Sequence, residues 1–294
     1  MTVLEVIQKS AEFLTKKGVD SPRLQTELLL AHVLKLPRMK LYLNFERALS
    51  EVELESVREL VKRRGQREPL QHIIGSTSFC GLEIAVNRHV LVPRPETELL
   101  AENGWEFLQK LSTARLARAG SETDAPTVLD FGTGSGCVAL ALAVKCPTAS
   151  VAALDASAEA LVVANQNAVR NQVADRIKFL HGDGFAALPA GTRFDLIISN
   201  PPYIPSAEIE TLQPEVRNFD PHAALDGGAD GLDFYRRLAT EAATFLKPDG
   251  KIMLEFGDGQ AADVKQTFEA QSWIAEAIRE DYTKRPRILI ARPG

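Results

Sequence analysis

The chain has few cysteines, and neither its cysteines nor its histidines have the spacing of a metal site. Cys80, Cys137 and Cys146 are odd in number and form no CxxC pair. They predict reduced, buried thiols in a cytoplasmic protein, not disulfides or a zinc site. The five histidines form no pair of the metal-binding kind. We therefore expect no metal site.

Long apolar runs and several nucleotide and hydrolase motifs are also absent. The longest apolar run extends only from Val138 to Val144, whereas a membrane-spanning helix needs about 20 residues. Residues Met1–Glu5 lack the basic region and apolar core of a secretory signal. There is no GxxxxGK[ST] phosphate loop and no GxSxG nucleophile elbow. We expect a cytoplasmic protein that does not bind membranes.

Positive charge is scarce in most of the chain. Residues 1–75 carry 13 basic and 10 acidic side chains, whereas the remainder carries 21 basic and 29 acidic ones. An acidic C-terminal part is a poor match for a DNA backbone, so we expect no direct DNA binding. The 294 residues, 45% of them hydrophobic, are enough for about two globular domains.

Residues 1–70 have the pattern of a small helical bundle. Apolar residues recur at helical spacing, Pro22 marks one helix start, and Ser50–Glu53 form a capping box at another. The predicted helices cover residues 2–17, 24–36, 38–47 and 51–65. Ser21 is the predicted N-cap of the second, with Pro22 at its first position. No catalytic constellation lies among them. We favour a partner-recognition domain, with a purely structural cap as the alternative.

Residues 71–92 predict a β-hairpin linker, in which two strand-like segments flank Cys80 and Gly81. In the segment that follows, Glu96 and Glu98 fall in the first turn of a helix. There they either cap the helix or border a cationic cofactor. Residues 112–126 are polar and predict a surface linker.

From residue 127 onward, short apolar strands alternate with amphipathic helices. The predicted strands are residues 127–131, 149–154, 177–180, 193–199, 251–256, 274–278 and 287–291. The last two have no helix between them, so they should pair antiparallel. This pattern predicts a seven-stranded, doubly wound α/β sheet of the Rossmann-like kind.

A glycine-rich turn follows the first of these strands. It reads Gly132-Thr133-Gly134-Ser135-Gly136, and Asp155 ends the next strand. Glycines allow a ligand to approach the backbone, and such an acid accepts hydrogen bonds from ribose hydroxyls. The turn has no phosphate-binding lysine or arginine, so a sulfonium nucleoside fits better than NAD. Asp130 would order the turn, and Asp183 is placed to meet an adenine amine. A purely structural turn is the alternative.

The fourth strand of the sheet ends in Asn200-Pro201-Pro202-Tyr203. The Asn200 amide oxygen and the Pro201 carbonyl are hydrogen-bond acceptors, and Tyr203 offers a flat apolar face. Such a site suits a planar substrate with an NH2 group. A strand that ends in a proline-rich turn is the alternative. Residues 204–222 predict either a lid over the substrate or a surface loop.

These motifs together resemble the PrmC/HemK family of peptide chain release factor glutamine methyltransferases, which use S-adenosylmethionine. The matching stretches are Leu91–Glu98, Asp130–Gly136, Ser199–Ile204 and Ala224–Gly228 with Gly231 and Leu232. NPPY alone is shared with adenine-N6 and other amino-methyltransferases. Together with PRPETE and ALDGG it is much more specific, and the resemblance spans nearly the whole chain.

The resemblance implies a role for each motif. Residues 93–294 would be the catalytic domain. Gly132, Thr133, Gly134, Ser135, Gly136, Asp155, Asp183, Gly184 and Asn200 would bind S-adenosylmethionine. Asn200, Pro201, Pro202 and Tyr203 would hold the glutamine side chain, with Asn200, Pro201 and Tyr203 catalytic.

Three positions depart from the family pattern. Family members commonly have an aromatic residue in place of Gly184, so adenine packing there is lost or supplied by Phe185. Asp220-Pro221 replaces Glu-Pro, and no glycine lies between Asp281 and Arg287. None of these changes removes a proposed catalytic group.

The resemblance predicts N5-methylation of the glutamine in the Gly-Gly-Gln loop of a release factor, with S-adenosylhomocysteine as by-product. An adenine-N6 nucleic-acid methyltransferase is one alternative. A catalytically idle S-adenosylmethionine-binding interaction module is another. Because no heptad repeat or extra apolar face is present, we expect a monomer.

Overall fold

The computed structural model describes residues 1–119 and 125–294. These residues form two compact units. The first consists of residues 1–76 together with 212–219, and the second of residues 77–211 with 220–294. The first is called the helical unit, and the second, which contains the segment predicted to be catalytic, is called the catalytic unit.

Five helices build the N-terminal part of the helical unit: α1 (Val3–Lys16), α2 (Pro22–Leu34), α3 (Arg38–Leu41), α4 (Glu51–Gly65) and α5 (Leu70–Ile74). Thr2 and Ser50 each begin a helix with a complete capping box. Fully buried leucines from three helices, among them Leu14, Leu29 and Leu41, form the core.

Three details of this unit differ from the sequence-based predictions. The third helix ends at Leu41 instead of Arg47, because the Asn44 side chain donates to the Lys40 carbonyl (2.7 Å) and competes with helical bonding. Ser21 has a φ of 47° and makes no capping bond, although Pro22 begins the helix as predicted. Helix α5 lies where no helix was predicted.

A short segment from later in the chain, residues 212–219, completes the helical unit and includes α9 (Pro214–Arg217). Arg67 donates to both carboxylate oxygens of Glu215, and Arg64 donates to one of them at 2.6 Å. The Arg64 side chain is only 4% exposed. The segment 204–222, predicted as either a lid or a surface loop, is therefore divided, since Glu215 in its central part is bound by arginines of the helical unit.

The predicted hairpin is present as β1 (Ser76–Phe79) and β2 (Leu82–Ala85), which form a two-stranded sheet. The Asn167 amide accepts from the Ala85 N–H (2.7 Å) and donates to the Ala85 carbonyl (3.0 Å). Glu98 accepts from the Cys80 N–H (2.7 Å). These bonds fix the hairpin to the catalytic unit.

The main sheet confirms the predicted doubly wound fold. Its strands are β3 (Thr127–Phe131), β4 (Ser150–Asp155), β5 (Ile177–His181), β6 (Phe194–Ser199), β7 (Leu246–Glu255), β8 (Trp273–Glu280) and β9 (Pro286–Pro293). They lie in the order β5-β4-β3-β6-β7-β9-β8. The first five are parallel, and β9 runs antiparallel to both of its neighbours. Strand order reverses between β3 and β6, which is where open α/β sheets bind ligands.

Helices cover both faces of this sheet. One core contains residues of α6 (Pro95–Ala119), α7 (Cys137–Lys145) and α8 (Ala158–Arg170), and the other contains residues of α10 (Asp233–Glu241) and α11 (Ala261–Glu269). Within the described residues, no helix is long and apolar enough to cross a membrane.

The surface linker predicted at residues 112–126 is wrong over its first part. Helix α6 continues to Ala119, and Arg115 on it pairs with the buried Asp195. Residues 112–119 contain neither glycine nor proline and include the strong helix formers Ala, Leu and Arg. Residues 120–124 lie outside the described part of the chain.

Candidate active site

The glycine turn joins β3 to α7. All three of its glycines have positive φ, from 54° to 81°. At Gly136 a Cβ atom would lie 2.8 Å from the Leu140 side chain and 3.0 Å from that of Ala164. The Gly132 and Thr133 N–H groups donate to the Leu154 carbonyl. Only glycine allows this turn to pack so closely between the strand and the helices.

Asp130, buried near the end of β3, orders the glycine turn through hydrogen bonds, as predicted. Its carboxylate accepts from the Thr133 hydroxyl (2.6 Å) and from the Ala139 N–H (3.0 Å). Burial raises the pKa of Asp130 to about 7. Because both of its hydrogen bonds go to the turn and to the start of α7, we assign Asp130 a structural role and no role in proton transfer.

Asp155 lies at the carboxyl end of β4. One of its oxygens accepts from the Gly134 N–H (2.7 Å), and the other accepts from the Ser157 N–H (2.9 Å). The side chain is partly exposed. It is thus held in one orientation and still has acceptor capacity for a ligand.

The loop after β5 contains Asp183, Gly184 and Phe185. Phe185 is 2% exposed and stacks on Phe245, with ring centroids 4.7 Å apart and planes inclined by 14°. It is part of the core between sheet and helices. Of the two alternatives for position 184, the structure therefore favours the loss of aromatic packing over its supply by Phe185.

The NPPY motif begins where β6 ends. Ser199 donates a buried hydrogen bond to the Phe131 carbonyl (2.6 Å), which ties this strand end to that of β3. The amide nitrogen of Asn200 donates to the Thr97 hydroxyl (3.1 Å). Within the described residues, the amide oxygen of Asn200 makes no hydrogen bond, so it can accept from a substrate N–H.

Behind Asn200 lies a pair of residues that sequence reasoning did not assign to the site. One member is Thr97. The other is Glu255, which ends β7, is 1% exposed and has a pKa that burial raises and the Thr97 hydroxyl lowers. Because the Thr97 hydroxyl accepts from the amide nitrogen of Asn200, the amide is oriented with its oxygen left as the acceptor. The signals were present, since Thr97 is part of PRPETE and Glu255 ends the strand beside β6.

Burial raises the pKa of Glu255 to about 7, although the nearby Thr97 hydroxyl lowers it. In the unfolded chain this carboxyl loses its proton near pH 4.5, whereas in the folded protein it keeps the proton until about pH 7. Folding stability therefore falls as the pH rises through this window. We expect Glu255→Gln to be more stable than wild type, with an advantage that grows by about 2–3 kcal/mol between pH 5 and pH 8.

Urea unfolding at both pH values measures this difference. Glu280→Gln is the matched control, because Glu280 is exposed on β8. The control should change stability equally at both pH values. A Glu255→Gln advantage that does not depend on pH would show that this carboxyl does not titrate in the window.

Arg94 and Asp220 form a further pair at the site. The Arg94 guanidinium lies 2.8 Å from an Asp220 oxygen. Burial raises the pKa of Asp220 to about 6, against the lowering effect of Arg94. The family's Glu-Pro is thus replaced by an aspartate that reaches the arginine of PRPETE.

A cavity of about 570 Å³ in the catalytic unit joins most of these groups. Its wall includes the predicted site residues Gly132, Thr133, Gly134, Ser135, Asp155, Asp183, Gly184, Asn200 and Pro202. Gly136, Pro201 and Tyr203 belong to the same two loops but are not part of this wall. Burial raises the pKa of Tyr203 to about 12, so its hydroxyl stays protonated.

The cavity fits a nucleoside with a cationic sulfur better than a nucleotide. Its volume is typical of cofactor sites. Of the described residues that line it, the arginines Arg94 and Arg237 are both paired with carboxylates, and none is a lysine. Asp155 lies on the cavity wall and has acceptor capacity left for a ligand hydroxyl. Among the described residues, no group of three or more His, Cys, Asp or Glu could hold a metal ion.

Two family models match the chain. Residues 5–75 match the PrmC N-terminal domain, and residues 110–214 match the methyltransferase small domain. Among solved structures, a methyltransferase from Pyrococcus furiosus is 21% identical, with a TM-score of 0.50 over 73% of this chain and 90% of that one. The catalytic domain of hMettl16 is 16% identical, with a TM-score of 0.50 over 83% of this chain and 82% of that one. These two likenesses concern the fold alone.

Curated relatives are similar over the full length. The release factor glutamine methyltransferase of Geobacter sulfurreducens is 45% identical and covers 100% of this chain and 97% of its own. That of Chlorobaculum tepidum is 42% identical, over 98% and 96%. That of Rhodospirillum rubrum is 40% identical, over 98% and 84%. The chain therefore belongs to the release factor glutamine methyltransferase family.

Proposed function

We propose that the protein transfers a methyl group from S-adenosylmethionine to the side-chain N5 of the glutamine in the Gly-Gly-Gln motif of a peptide chain release factor. The observation that carries this is the orientation of the Asn200 amide. Its nitrogen is bound by Thr97, and its oxygen is left as an acceptor on the wall of the cavity that contains the glycine turn and Asp155.

The substrate nitrogen determines what the site must do. A carboxamide nitrogen is a poor nucleophile, because its lone pair is delocalised into the carbonyl. Hydrogen bonds from its two N–H groups to the Asn200 amide oxygen and the Pro201 carbonyl would orient it and favour positive charge on nitrogen in the transition state. Tyr203 would supply a flat apolar surface.

S-adenosylmethionine supplies an electrophilic methyl group on a sulfonium. In the reaction the N–C bond would form as the S–C bond breaks, and the nitrogen would then release one of its two protons to solvent. Proximity and the exclusion of water would provide most of the rate enhancement. We assign no general base and no metal to the step.

Cofactor binding would rest on the residues of the cavity wall. The backbone of Gly132–Gly136 would approach the cofactor, and Asp155 would accept from the ribose hydroxyls. Asp183 and Gly184 would border the adenine, and Asn200 the methyl donor. S-adenosylhomocysteine would be released afterwards.

The helical unit is proposed to recognise the release factor. It contains a core of its own and no catalytic constellation among its described residues, so it adds surface without chemistry. We propose a cytoplasmic monomer that does not bind DNA directly.

A methyl-transfer assay tests the function. Purified release factor, DNA and RNA are offered side by side with radiolabelled S-adenosylmethionine. We expect label on the release factor alone, lost when its Gly-Gly-Gln glutamine is replaced by alanine. Label on nucleic acid and none on the release factor would show an adenine-N6 enzyme instead. Cofactor binding without any transfer would show a non-catalytic module.

A further inference from the structure

Arg237 of α10 reaches the cavity wall beside Gly184. The fit between the two is close, because a Cβ atom at Gly184 would lie 2.1 Å from Nη2 and 2.6 Å from Cζ of Arg237. Gly184 also has a φ of +70°, in the region that favours glycine. The guanidinium thus occupies the space that the Cβ atom of any other residue at position 184 would need.

Three acceptors hold the guanidinium in place. Nη1 donates to an Asp183 carboxylate oxygen (2.6 Å), Nη2 to the Asp183 carbonyl (3.1 Å), and Nε to Glu241 (3.3 Å). The side chain nevertheless remains 30% exposed. A planar cation fixed along its edge and still open to the cavity can receive a flat ligand on its face.

We propose that Arg237 contacts the adenine of S-adenosylmethionine and that its guanidinium is the flat surface on which the base rests. This inference depends on the proposed function, in which S-adenosylmethionine binds in the cavity. Guanidinium groups stack on aromatic faces through cation–π attraction and plane-to-plane contact. Asp183 and Glu241 balance the charge of Arg237, so the group can lie near a sulfonium cofactor without net repulsion.

Two phenylalanines, Phe185 and Phe234, are the other candidates for a flat surface against adenine. Phe185 is buried in the core, as described above. Phe234 does line the cavity, so it is the rival for the adenine contact and belongs in the test. Arg237 is favoured because it lies directly on Gly184, in the loop that follows β5.

Calorimetric titration with two ligands tests the inference without any methyl transfer. The ligands are S-adenosylmethionine and 5′-methylthioadenosine, which has the nucleoside but no amino-acid moiety. We expect Arg237→Ala to raise the Kd of both about tenfold. Arg237→Lys keeps the positive charge but lacks the planar guanidinium, so its Kd should stay within about twofold of that of the alanine variant.

Arg236→Ala is the matched control, since Arg236 is the neighbouring arginine and is half exposed in ion pairs with Asp230 and Asp233. It should bind both ligands like wild type. Thermal unfolding checks each variant, and Arg237→Gln replaces Arg237→Ala if the latter does not fold.

Several results would overturn the inference. One is a Kd of Arg237→Ala within about twofold of wild type. Another is a wild-type Kd in Arg237→Lys. The third is a loss of methylthioadenosine binding in Phe234→Ala but not in Arg237→Ala. If the wild-type protein bound neither ligand, the proposed cofactor itself would be wrong. The two failures are therefore distinguishable.

Discussion

Asn200→Ala is expected to lower kcat by about 10³-fold while the affinity for S-adenosylmethionine stays within about threefold of wild type. The substitution removes an oriented acceptor from the substrate amide. The cofactor retains the glycine turn and Asp155. The bond to Thr97 is also lost, but a single partly buried hydrogen bond costs only about 1 kcal/mol of stability.

Single-turnover methylation of the release factor and calorimetric titration of the cofactor measure the two quantities separately. Asn165→Ala is the control, because Asn165 is exposed on α8. Its turnover should equal that of wild type. If Asn200→Ala keeps more than about a tenth of the wild-type kcat, the amide does not have the proposed transition-state role.

Asp155→Ala is expected to have the opposite profile, with a Kd for S-adenosylmethionine raised about 100-fold and kcat at saturation changed little. Hydrogen bonds from two ribose hydroxyls to a carboxylate contribute about 1.5–3 kcal/mol each. Asp155 also fixes the Gly134 N–H of the glycine turn, and this contact is lost with it. Asp155→Asn keeps the shape and one acceptor, so its Kd should rise only about tenfold.

Calorimetry gives the Kd values, and steady-state kinetics separates KM from kcat. Asp175→Ala, which alters an exposed carboxylate just before β5, is the control and should bind normally. A low kcat with unchanged Kd in Asp155→Ala would place Asp155 at the reacting centre instead of at the ribose.

Local patterns predicted the fold and located the two loops that contribute residues to the cavity wall. The strands of the sheet were evident from short apolar runs, and the antiparallel end from the missing helix between β8 and β9. The glycine turn and NPPY were found because each is contiguous in sequence. Both lie at carboxyl ends of parallel strands, where the fold alone brings them together.

Contacts between distant residues could not be predicted in this way. Thr97 and Asn200 are 103 positions apart, and nothing in either segment specifies the other. The same holds for Arg237, whose interaction with Asp183 and Gly184 depends on how α10 packs on the sheet. Polarity alone misassigned residues 112–119, since an exposed helix and a linker have similar composition.

The course of the chain around Glu215 has a consequence for domain exchange between related enzymes. The chain leaves the catalytic unit after Thr211, contributes eight residues to the helical unit, and returns at Asp220. A chimera that exchanged only the first 76 residues would separate Arg64 and Arg67 from Glu215, the carboxylate that they bind. If the helical unit recognises the release factor as proposed, transplanting partner choice requires both pieces, and the second lies between NPPY and ALDGG.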